Sequence, residues 1–144
     1  MIVNSAELTF VSRSVNERFA RMSVAAFASQ LDPTVEELAE IKTAVSEAVT
    51  NCIVHAYRDE IGKIAMTLRL IDSDTVYIKI SDKGCGIEDI GQAMEPMFTT
   101  SPGDERAGLG FAVMESFTDK LTVRSALGRG TTVTMIKKTG GREN

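Results

Sequence analysis

Apolar and polar residues alternate with a period of two in several parts of the chain. Segments 63–70 and 75–81 carry an apolar residue at every second position and are separated by a short polar Asp-Ser-Asp turn. Such alternation places the apolar side chains on one face of a strand. Two strands of this kind joined by a short turn are typical of an antiparallel hairpin. The same pattern predicts a second hairpin, formed by 121–125 and 131–137, and a short strand at 7–11.

Other segments have the three- and four-residue spacing of helices. Ser14 and Glu17 are placed as in a capping box, in which a hydroxyl and a carboxylate each accept a hydrogen bond from a free amide at the start of a helix. We expect this first helix to end before Asp32-Pro33, because proline disfavours a helical residue before it. Its predicted buried face consists of Val15, Phe19, Met22 and Ala26.

A second capping box, Thr34 with Glu37, opens a long helix that we expect to reach about Tyr57. A short helix is predicted within 87–97, and another over 108–119. The elements therefore follow the order strand, two helices, hairpin, loop, helix and hairpin. We expect an α+β fold, a two-layer sandwich with helices packed on one face of a mixed, mostly antiparallel sheet.

Length and composition favour one ordinary globular domain, 1–144. The chain is 43% hydrophobic and 25% charged, with a net charge of −4, and this charge argues against broad nucleic-acid affinity. Cys52 and Cys85 form no CxxC motif, so a structural zinc site or a secreted disulfide framework is not expected. Because neither a signal peptide nor an apolar run of about 20 residues is present, we expect a soluble, cytoplasmic protein.

The second predicted helix carries a candidate chemical pair. Glu47 is the one carboxylate within 44–56, and Asn51 lies four residues later, so the two side chains lie one above the other on a helix. Most of their neighbours are apolar, and a carboxylate in such a segment is costly unless it is paired or has a task. The alternative is a solvated stripe without a function, and the pair alone does not decide between the two.

Three short glycine motifs follow the helix, at 82–86 (DKGCG), 108–110 (GLG) and 128–131 (GRGT). Glycine permits close approach of the backbone, and a helix N-terminus offers free amides to phosphate. None of the motifs is a P-loop, and Asp89 and Val113 occupy the third glycine position of the dinucleotide fingerprint. One such motif is a tight turn as readily as a site, but three of them after Glu47-x-x-x-Asn51 favour a nucleotide site.

In this order and spacing the motifs resemble those of the GHKL ATP-binding superfamily, which includes gyrase, Hsp90, histidine kinases and MutL, over 35–137. The helical pair resembles the N box, and the glycine motifs resemble the G1, G2 and G3 boxes. The resemblance implies the Bergerat ATP-binding fold, with ATP or ADP and Mg²⁺ as cofactors. It implies that Asn51 binds Mg²⁺ through its carbonyl oxygen, since hard cations prefer oxygen ligands.

The resemblance also implies roles for the glycine motifs. Asp82 would accept a hydrogen bond from the exocyclic amino group of adenine, and Thr131 would support the adenine edge through a water molecule. Segment 98–108 would be a lid over the triphosphate, and Arg106 within it would meet the γ-phosphate; the alternative for Arg106 is an exposed loop charge. The implied nucleotide-binding residues are Asn51, Asp82, Gly84, Gly86, Thr99, Thr100, Arg106, Gly108, Leu109, Gly110 and Thr131.

Within the superfamily, Glu47 and the chain length narrow the prediction. A glutamate suits the activation of a hydroxyl group of water or of a protein serine. The single histidine, His55, is not preceded by a phosphoacceptor helix pair, so histidine autophosphorylation is not expected. The 144 residues leave no room for the transducer or client domains of gyrase-like and Hsp90-like ATPases. The chain instead resembles the bacterial anti-sigma factor serine kinases, in particular their sporulation anti-sigma F branch, at 14–27, 31–51, 98–111 and 113–117.

This resemblance implies partners as well as an activity. The protein would bind and inhibit a sporulation sigma factor of the sigma-F type, and would use ATP to phosphorylate a serine of an anti-anti-sigma factor, which inactivates that partner. Both partners would dock on overlapping surfaces of a homodimer, near segment 6–31 and the lid. Arg21 becomes a candidate partner contact, with a solvated helix charge as its alternative. No direct contact with nucleic acid or membrane is expected, and 138–144 is predicted to be a frayed tail.

Several alternatives remain open from the sequence. The chain could be a nucleotide-gated sequestering module without catalysis, a general stress-type anti-sigma kinase, or an ATPase that directs water. A nucleophilic pair of Cys85 and His55 is formally possible but has no evident third group to orient it. Cys52 is interpreted as a small buried apolar residue.

Overall fold

A computed structural model describes residues 1–57, 60–87 and 110–140. These residues form three α-helices packed against a five-stranded antiparallel sheet. The predicted short helix at 87–97 and the predicted lid at 98–108 lie outside the described residues, apart from residue 87. No helix within the described ranges is both long and apolar enough to cross a membrane.

The sheet has the strand order β1-β2-β3-β5-β4, and each neighbouring pair is antiparallel. Both predicted hairpins are confirmed, β2 with β3 and β4 with β5. The first strand is longer than the predicted 7–11, because it pairs with β2 from Ile2 onward. The strands are β1 (Ile2–Val11), β2 (Lys63–Ile71), β3 (Thr75–Asp82), β4 (Lys120–Ala126) and β5 (Gly130–Lys138).

The helices are α1 (Val15–Ala28), α2 (Val35–Asn51) and α3 (Gly110–Phe117). They cover one face of the sheet, where every second residue of the central strands is buried, as the period of two predicts. The predicted α+β two-layer sandwich is therefore confirmed. The core residues of β2 and β3 are Ile64, Met66, Leu68, Leu70, Val76, Ile78 and Ile80.

The predicted buried face of α1 is wrong. The helix instead buries the small residues Ala20, Val24, Ala25 and Ala28. Small side chains let α1 approach α2 closely, so the larger residues on the other side remain outside. Of the predicted face, Val15 is 74% exposed, Phe19 51% and Met22 49%, and Ala26 is exposed as well.

The two predicted capping boxes have different outcomes. Thr34 Oγ1 accepts from the Glu37 amide at 3.0 Å, and Glu37 Oε1 accepts from the Thr34 amide at 2.8 Å, so the second box is confirmed. At Ser14 no side-chain cap forms, because its backbone is already helical (φ −58°, ψ −30°) and turns the hydroxyl away from the amides it would serve. The Glu17 carboxylate instead pairs with Arg21.

The second helix ends differently from the prediction of a helix to Tyr57. Its α-helical part ends at Asn51, and one turn of π-helix follows at Cys52–Ala56. At the other end of the chain, Lys138 still belongs to β5, and Thr139 donates to the Asp74 carbonyl through its amide at 2.7 Å and its hydroxyl at 3.0 Å. These two residues of the predicted tail are thus held, and 141–144 lie outside the described residues.

Candidate functional site

Glu47 and Asn51 lie one turn apart near the C-terminal end of α2. Both side chains are partly exposed, whereas Ala44, Val45, Ala48 and Val49 around them are buried. The pair therefore forms a polar stripe at the border of the core, as its i, i+4 spacing predicts.

The N-terminus of α3 approaches this pair at Gly110. A Cβ atom at position 110 would lie 3.3 Å from both Oδ1 and Nδ2 of Asn51 and 3.5 Å from Oε2 of Glu47. A side chain there would crowd the amide group, so the absence of one lets the helix start close to the two polar groups. The N-box-like pair and the last residue of the second glycine motif are thus brought together.

Asp82 ends β3 and is only 7% exposed. Its Oδ1 accepts two main-chain hydrogen bonds, from the amide of Gly84 at 2.9 Å and from the amide of Thr131 at 3.2 Å. A buried carboxylate needs such donors to offset the loss of hydration. One side chain thereby joins the first and third glycine motifs.

The second carboxylate oxygen of Asp82 contacts a cysteine. The Cys52 thiol donates to Asp82 Oδ2 at 3.4 Å, and Cys52 is 5% exposed. Burial, followed by the charge and the hydrogen bond of Asp82, raises the pKa of Cys52 well above its ordinary value of 9.0. The side chain is therefore a thiol at neutral pH and acts as a donor.

The first glycine motif is docked on the π turn. The Cys85 amide donates to the Ala56 carbonyl at 3.0 Å, and a Cβ atom at Gly84 would collide with that same carbonyl. The Cys85 thiol donates to the main-chain carbonyl of His55 at 3.3 Å. A π turn widens the helix by one residue, and here it presents two successive carbonyls to the loop. The contact with His55 is through its backbone, so it lends no support to a Cys85–His55 nucleophile.

The third glycine motif packs directly on the end of β3. Gly130 has φ +105°, and a Cβ atom there would collide with the main-chain carbonyl of Asp82. Ser125 Oγ lies 2.8 Å from Thr131 Oγ1, donates to the Gly130 carbonyl at 3.0 Å and accepts from the Ile87 amide at 2.7 Å. Gly86, also at positive φ (+78°), lies against Ala126. The first and third motifs therefore form one continuous wall.

Tyr57 connects the first glycine motif to the start of β2. Its hydroxyl donates to the Lys63 carbonyl at 2.6 Å and accepts from the Lys83 amide at 2.7 Å. Its ring packs on Gly62, where a Cβ atom would overlap the ring. Burial raises the pKa of Tyr57 above its ordinary value of 10.0.

The structure brings together six of the predicted residues in two groups, Glu47 and Asn51 with Gly110, and Asp82 with Gly84 and Thr131. Gly86 lies in the same loop as Gly84. Arg21 is elsewhere, on α1, where its Nε donates to Glu17 at 2.9 Å. The predicted residues outside the described part of the chain are Thr99, Thr100, Arg106, Gly108 and Leu109. Within 1–57, 60–87 and 110–140, no three His, Cys, Asp or Glu side chains are grouped to hold a metal ion.

Sequence reasoning missed three residues that shape the site. Cys52 was assigned to the core, where it lies, but not to the Asp82 carboxylate that it contacts. Ser125 on β4 contacts Thr131 of β5 and Ile87 of the loop after β3, and the Ala56 carbonyl accepts from the first motif. Neither residue belongs to a recognisable sequence pattern. Their partners are distant in sequence, so no local spacing predicts them.

Comparison with known proteins agrees with this geometry. The sequence profile of the family described as "Histidine kinase-like ATPase domain" matches residues 10–137. Domains of this family are ATPases of the kinase type, and the match makes ATP or ADP the expected ligand of the site.

Curated relatives cover nearly the whole chain. A protein of Caldanaerobacter subterraneus subsp. tengcongensis named "Anti-sigma F factor" is 56% identical over 137 residues, 95% of each chain. Proteins of the same name from Clostridium acetobutylicum and Geobacillus kaustophilus are each 49% identical, and cover 96% and 93% of this chain and 96% and 92% of their own.

Solved structures share the fold at lower identity. The RsbU and RsbW domains of Rv1364c from Mycobacterium tuberculosis superpose with a TM-score of 0.69 at 18% identity, over 95% of this chain and 33% of that one. The mycobacterial sensor histidine kinase MprB gives 0.56 at 22% identity, over 71% and 72% of the two chains. The profile match and the curated relatives together establish that the chain belongs to the histidine kinase-like ATPase domain family and, within it, to the anti-sigma F factors.

Proposed function

We propose that the protein is an ATP-dependent protein-serine kinase that also sequesters a sigma factor. On this proposal it binds a sporulation sigma factor of the sigma-F type when nucleotide is bound, and phosphorylates a serine of an anti-anti-sigma factor. The observation that carries the proposal is the meeting of Glu47 and Asn51 with the N-terminus of α3 at Gly110. The helix start and the amide side chain could bind the triphosphate with its metal ion. The carboxylate beside them could accept a proton from an incoming hydroxyl group.

Glu47 has the chemistry of the general base in this proposal. Its Oε atom would take the proton of the partner's serine hydroxyl while the hydroxyl oxygen forms a bond to the γ-phosphorus. The bond between that phosphorus and the bridging β–γ oxygen breaks, and ADP leaves with the electron pair. Phosphoryl transfer depends mainly on positioning and charge stabilisation, and the free amides at the start of α3 suit the phosphates.

Asp82 would read the base. Two amides hold its Oδ1 and a thiol holds its Oδ2, so the carboxylate is fixed at the buried end of the wall formed by the first and third motifs. A carboxylate accepts from the amino group of adenine and disfavours the carbonyl oxygen that guanine carries at the same place. Thr131 lies beside Asp82 through its amide, with its hydroxyl on Ser125.

The residues present fit a magnesium ion that the nucleotide itself helps to bind. Asn51 offers Oδ1 next to the Glu47 carboxylate, and Mg²⁺ commonly takes one or two protein oxygens together with substrate phosphates. The ion would neutralise phosphate charge. Asn51 remains the proposed ligand. The proposed lid, with Thr99, Thr100 and Arg106, would close over the phosphates, and the amides of Gly108 and Leu109 would face them.

The exposed side of α1 is the proposed partner and dimer surface. Val15, Phe19 and Met22 project from it, and the edge strand β1 beside it exposes Ile2 and Val3. Clusters of large exposed apolar residues are typical of protein interfaces. Arg21 lies on the same helix, and its pairing with Glu17 would be exchanged for a partner carboxylate on docking. Because the proposed partners regulate transcription, we expect this activity in the cytoplasm.

Substitution of Glu47 by glutamine tests the proposal. The variant keeps the shape of the side chain and loses the base, so ATP binding persists while partner phosphorylation falls by about 10²–10⁴-fold. Glu36→Gln, at an exposed position in the first turn of the same helix, is the matched control and retains full activity. Binding is measured by titration calorimetry, and transfer by labelled phosphate on an anti-anti-sigma protein.

Three results would contradict the proposal in distinguishable ways. Transfer by Glu47→Gln at the wild-type rate would remove Glu47 as the base. Nucleotide-dependent sigma-factor capture without any transfer by the wild-type protein would indicate a sequestering module. Rapid ATP turnover in the absence of an acceptor protein would indicate a water-directed ATPase.

A further inference from the structure

The two oxygens of the Asp82 carboxylate have different hydrogen-bond donors. Oδ1 accepts from two main-chain amides, Gly84 and Thr131, which occupy both of its lone pairs. Oδ2 accepts from the Cys52 thiol at 3.4 Å. An ionised carboxylate has about four acceptor positions, so the donors among residues 1–57, 60–87 and 110–140 leave one position on Oδ2 for a ligand.

Cys52 has little freedom in this arrangement. It is 5% exposed within the core cluster and is the first residue of the π turn, directly after Asn51. Its amide donates back to Ala48 and Val49, and its carbonyl accepts from the Tyr57 amide at 3.2 Å. These backbone bonds, together with burial of the side chain, hold the sulfur beside Asp82 before any ligand arrives.

A purely apolar side chain at position 52 would leave Oδ2 facing the core. A buried acceptor that loses its donor is unfavourable, and the carboxylate would rotate or recruit water to recover a donor. Either change would redirect the acceptor position of Oδ2 that the thiol does not use. The thiol therefore does more than fill volume, since it determines the direction of the remaining lone pair.

We propose that Cys52 is a positioning residue for base selection, whose thiol orients Asp82 Oδ2 toward the exocyclic amino group of an adenine nucleotide. This inference rests on the proposed role of Asp82 in reading the base. It assigns to a residue of the core a part in nucleotide specificity, acting through Asp82 and without contact to the nucleotide.

The test compares ATP with purine riboside 5′-triphosphate, which lacks the amino group, in titration calorimetry on the full chain. The wild-type protein prefers ATP by roughly ten- to hundredfold. Cys52→Ala lowers ATP affinity by roughly three- to tenfold and leaves the affinity for the analogue unchanged. Cys52→Ser restores a donor and with it most of the ATP preference.

Val49→Ala is the matched control, since Val49 is fully buried one turn earlier on the same helix. It removes core volume without touching Asp82, so stability falls and the ratio of the two affinities stays at the wild-type value. Equal losses for both nucleotides in Cys52→Ala, or no loss for either, would overturn the inference and leave Asp82 as the base reader. Equal wild-type affinity for the two nucleotides would instead refute the role of Asp82 and the inference with it.

Discussion

Two buried titratable side chains, Cys52 and Tyr57, lie near Asp82. Cys52 donates to the carboxylate, and Tyr57 joins the Lys63 carbonyl to the Lys83 amide next to it. Burial raises the pKa of both groups, and for Cys52 the nearby Asp82 charge raises it further. Both groups are donors only in their protonated form, so we expect deprotonation at alkaline pH to destabilise the site.

We expect the free energy of unfolding to fall as pH rises above about 9. A group with a raised pKa in the folded state binds its proton more tightly there, so its contribution is complete below the unfolded pKa and is lost as pH rises toward the folded pKa. The loss is up to about 1.4 kcal/mol per pH unit for one group. Denaturant titrations at pH 8 and pH 10 measure it.

Cys52→Ala separates this effect from general alkaline destabilisation. The variant is less stable than the wild type at pH 8 and loses less on the way to pH 10, by about 1 kcal/mol. Val49→Ala, with no titrating group, keeps the wild-type pH dependence. An identical pH dependence in Cys52→Ala and the wild type would refute the coupling.

At the residue scale, sequence predicted what is local and missed what is distant. Glu47 and Asn51 are four residues apart on one helix, so their side-by-side placement follows from helical geometry. The contact between Cys52 and Asp82 spans thirty positions and depends on how the π turn after α2 packs on the end of β3. A buried cysteine in an apolar helix segment gives no sign of such a partner.

At the scale of elements, Lys137 connects β5 to both α2 and α3. It lies on β5, and its Nζ donates to Glu40 of α2 at 3.0 Å and to the Phe117 carbonyl, the last of α3, at 2.9 Å. A cation at a helix C-terminus is favourable because it compensates the free carbonyls. The contact fixes the far end of α3, whose near end faces Glu47 and Asn51.

Lys137→Met should destabilise the protein by about 2 kcal/mol, because it leaves a partly buried carboxylate and a helix-end carbonyl without their donor. The neighbouring lysine supplies the control. Lys138 is 69% exposed and lies 3.9 Å from Asp74, so Lys138→Met should change stability by no more than about 0.5 kcal/mol. Chemical denaturation measures both, and equal values for the two variants would exclude the proposed role of Lys137.

The elements themselves were largely predictable, and the exceptions have a common cause. Period-two alternation identified the hairpins because one face of each strand is buried and the other is not. In α1 two apolar stripes compete, and the larger residues point away from the core while alanines face it. Hydrophobicity alone selects the wrong stripe when close packing favours small residues.

At the scale of the whole molecule, the exposed stripe of α1 and the edge strand β1 present large apolar side chains at the surface. Val15, Phe19 and Met22 are each about half exposed or more. β1 is an end strand of the sheet, and such edges offer unpaired backbone groups to another chain. These features favour a second copy of the chain at this side.

Met22→Glu should therefore shift the proposed homodimer toward monomer, since it places a charge in the proposed apolar contact. Sedimentation velocity measures the change, and circular dichroism checks that the fold is kept. Val35→Glu, at an 88% exposed apolar position on α2, is the control and should leave the assembly unchanged. A wild-type protein that is monomeric at every concentration would contradict the expectation.

The π turn at Cys52–Ala56 has a consequence for how this protein can vary. One surplus residue in that turn carries the Ala56 carbonyl to the Cys85 amide. Deleting it would restore a regular helix and rotate the following residues by about 100° around the axis, away from the loop. Substitutions at 53 or 54 are therefore more easily tolerated than any change in spacing, because the number of residues between Asn51 and Tyr57 determines where the Ala56 carbonyl meets the loop.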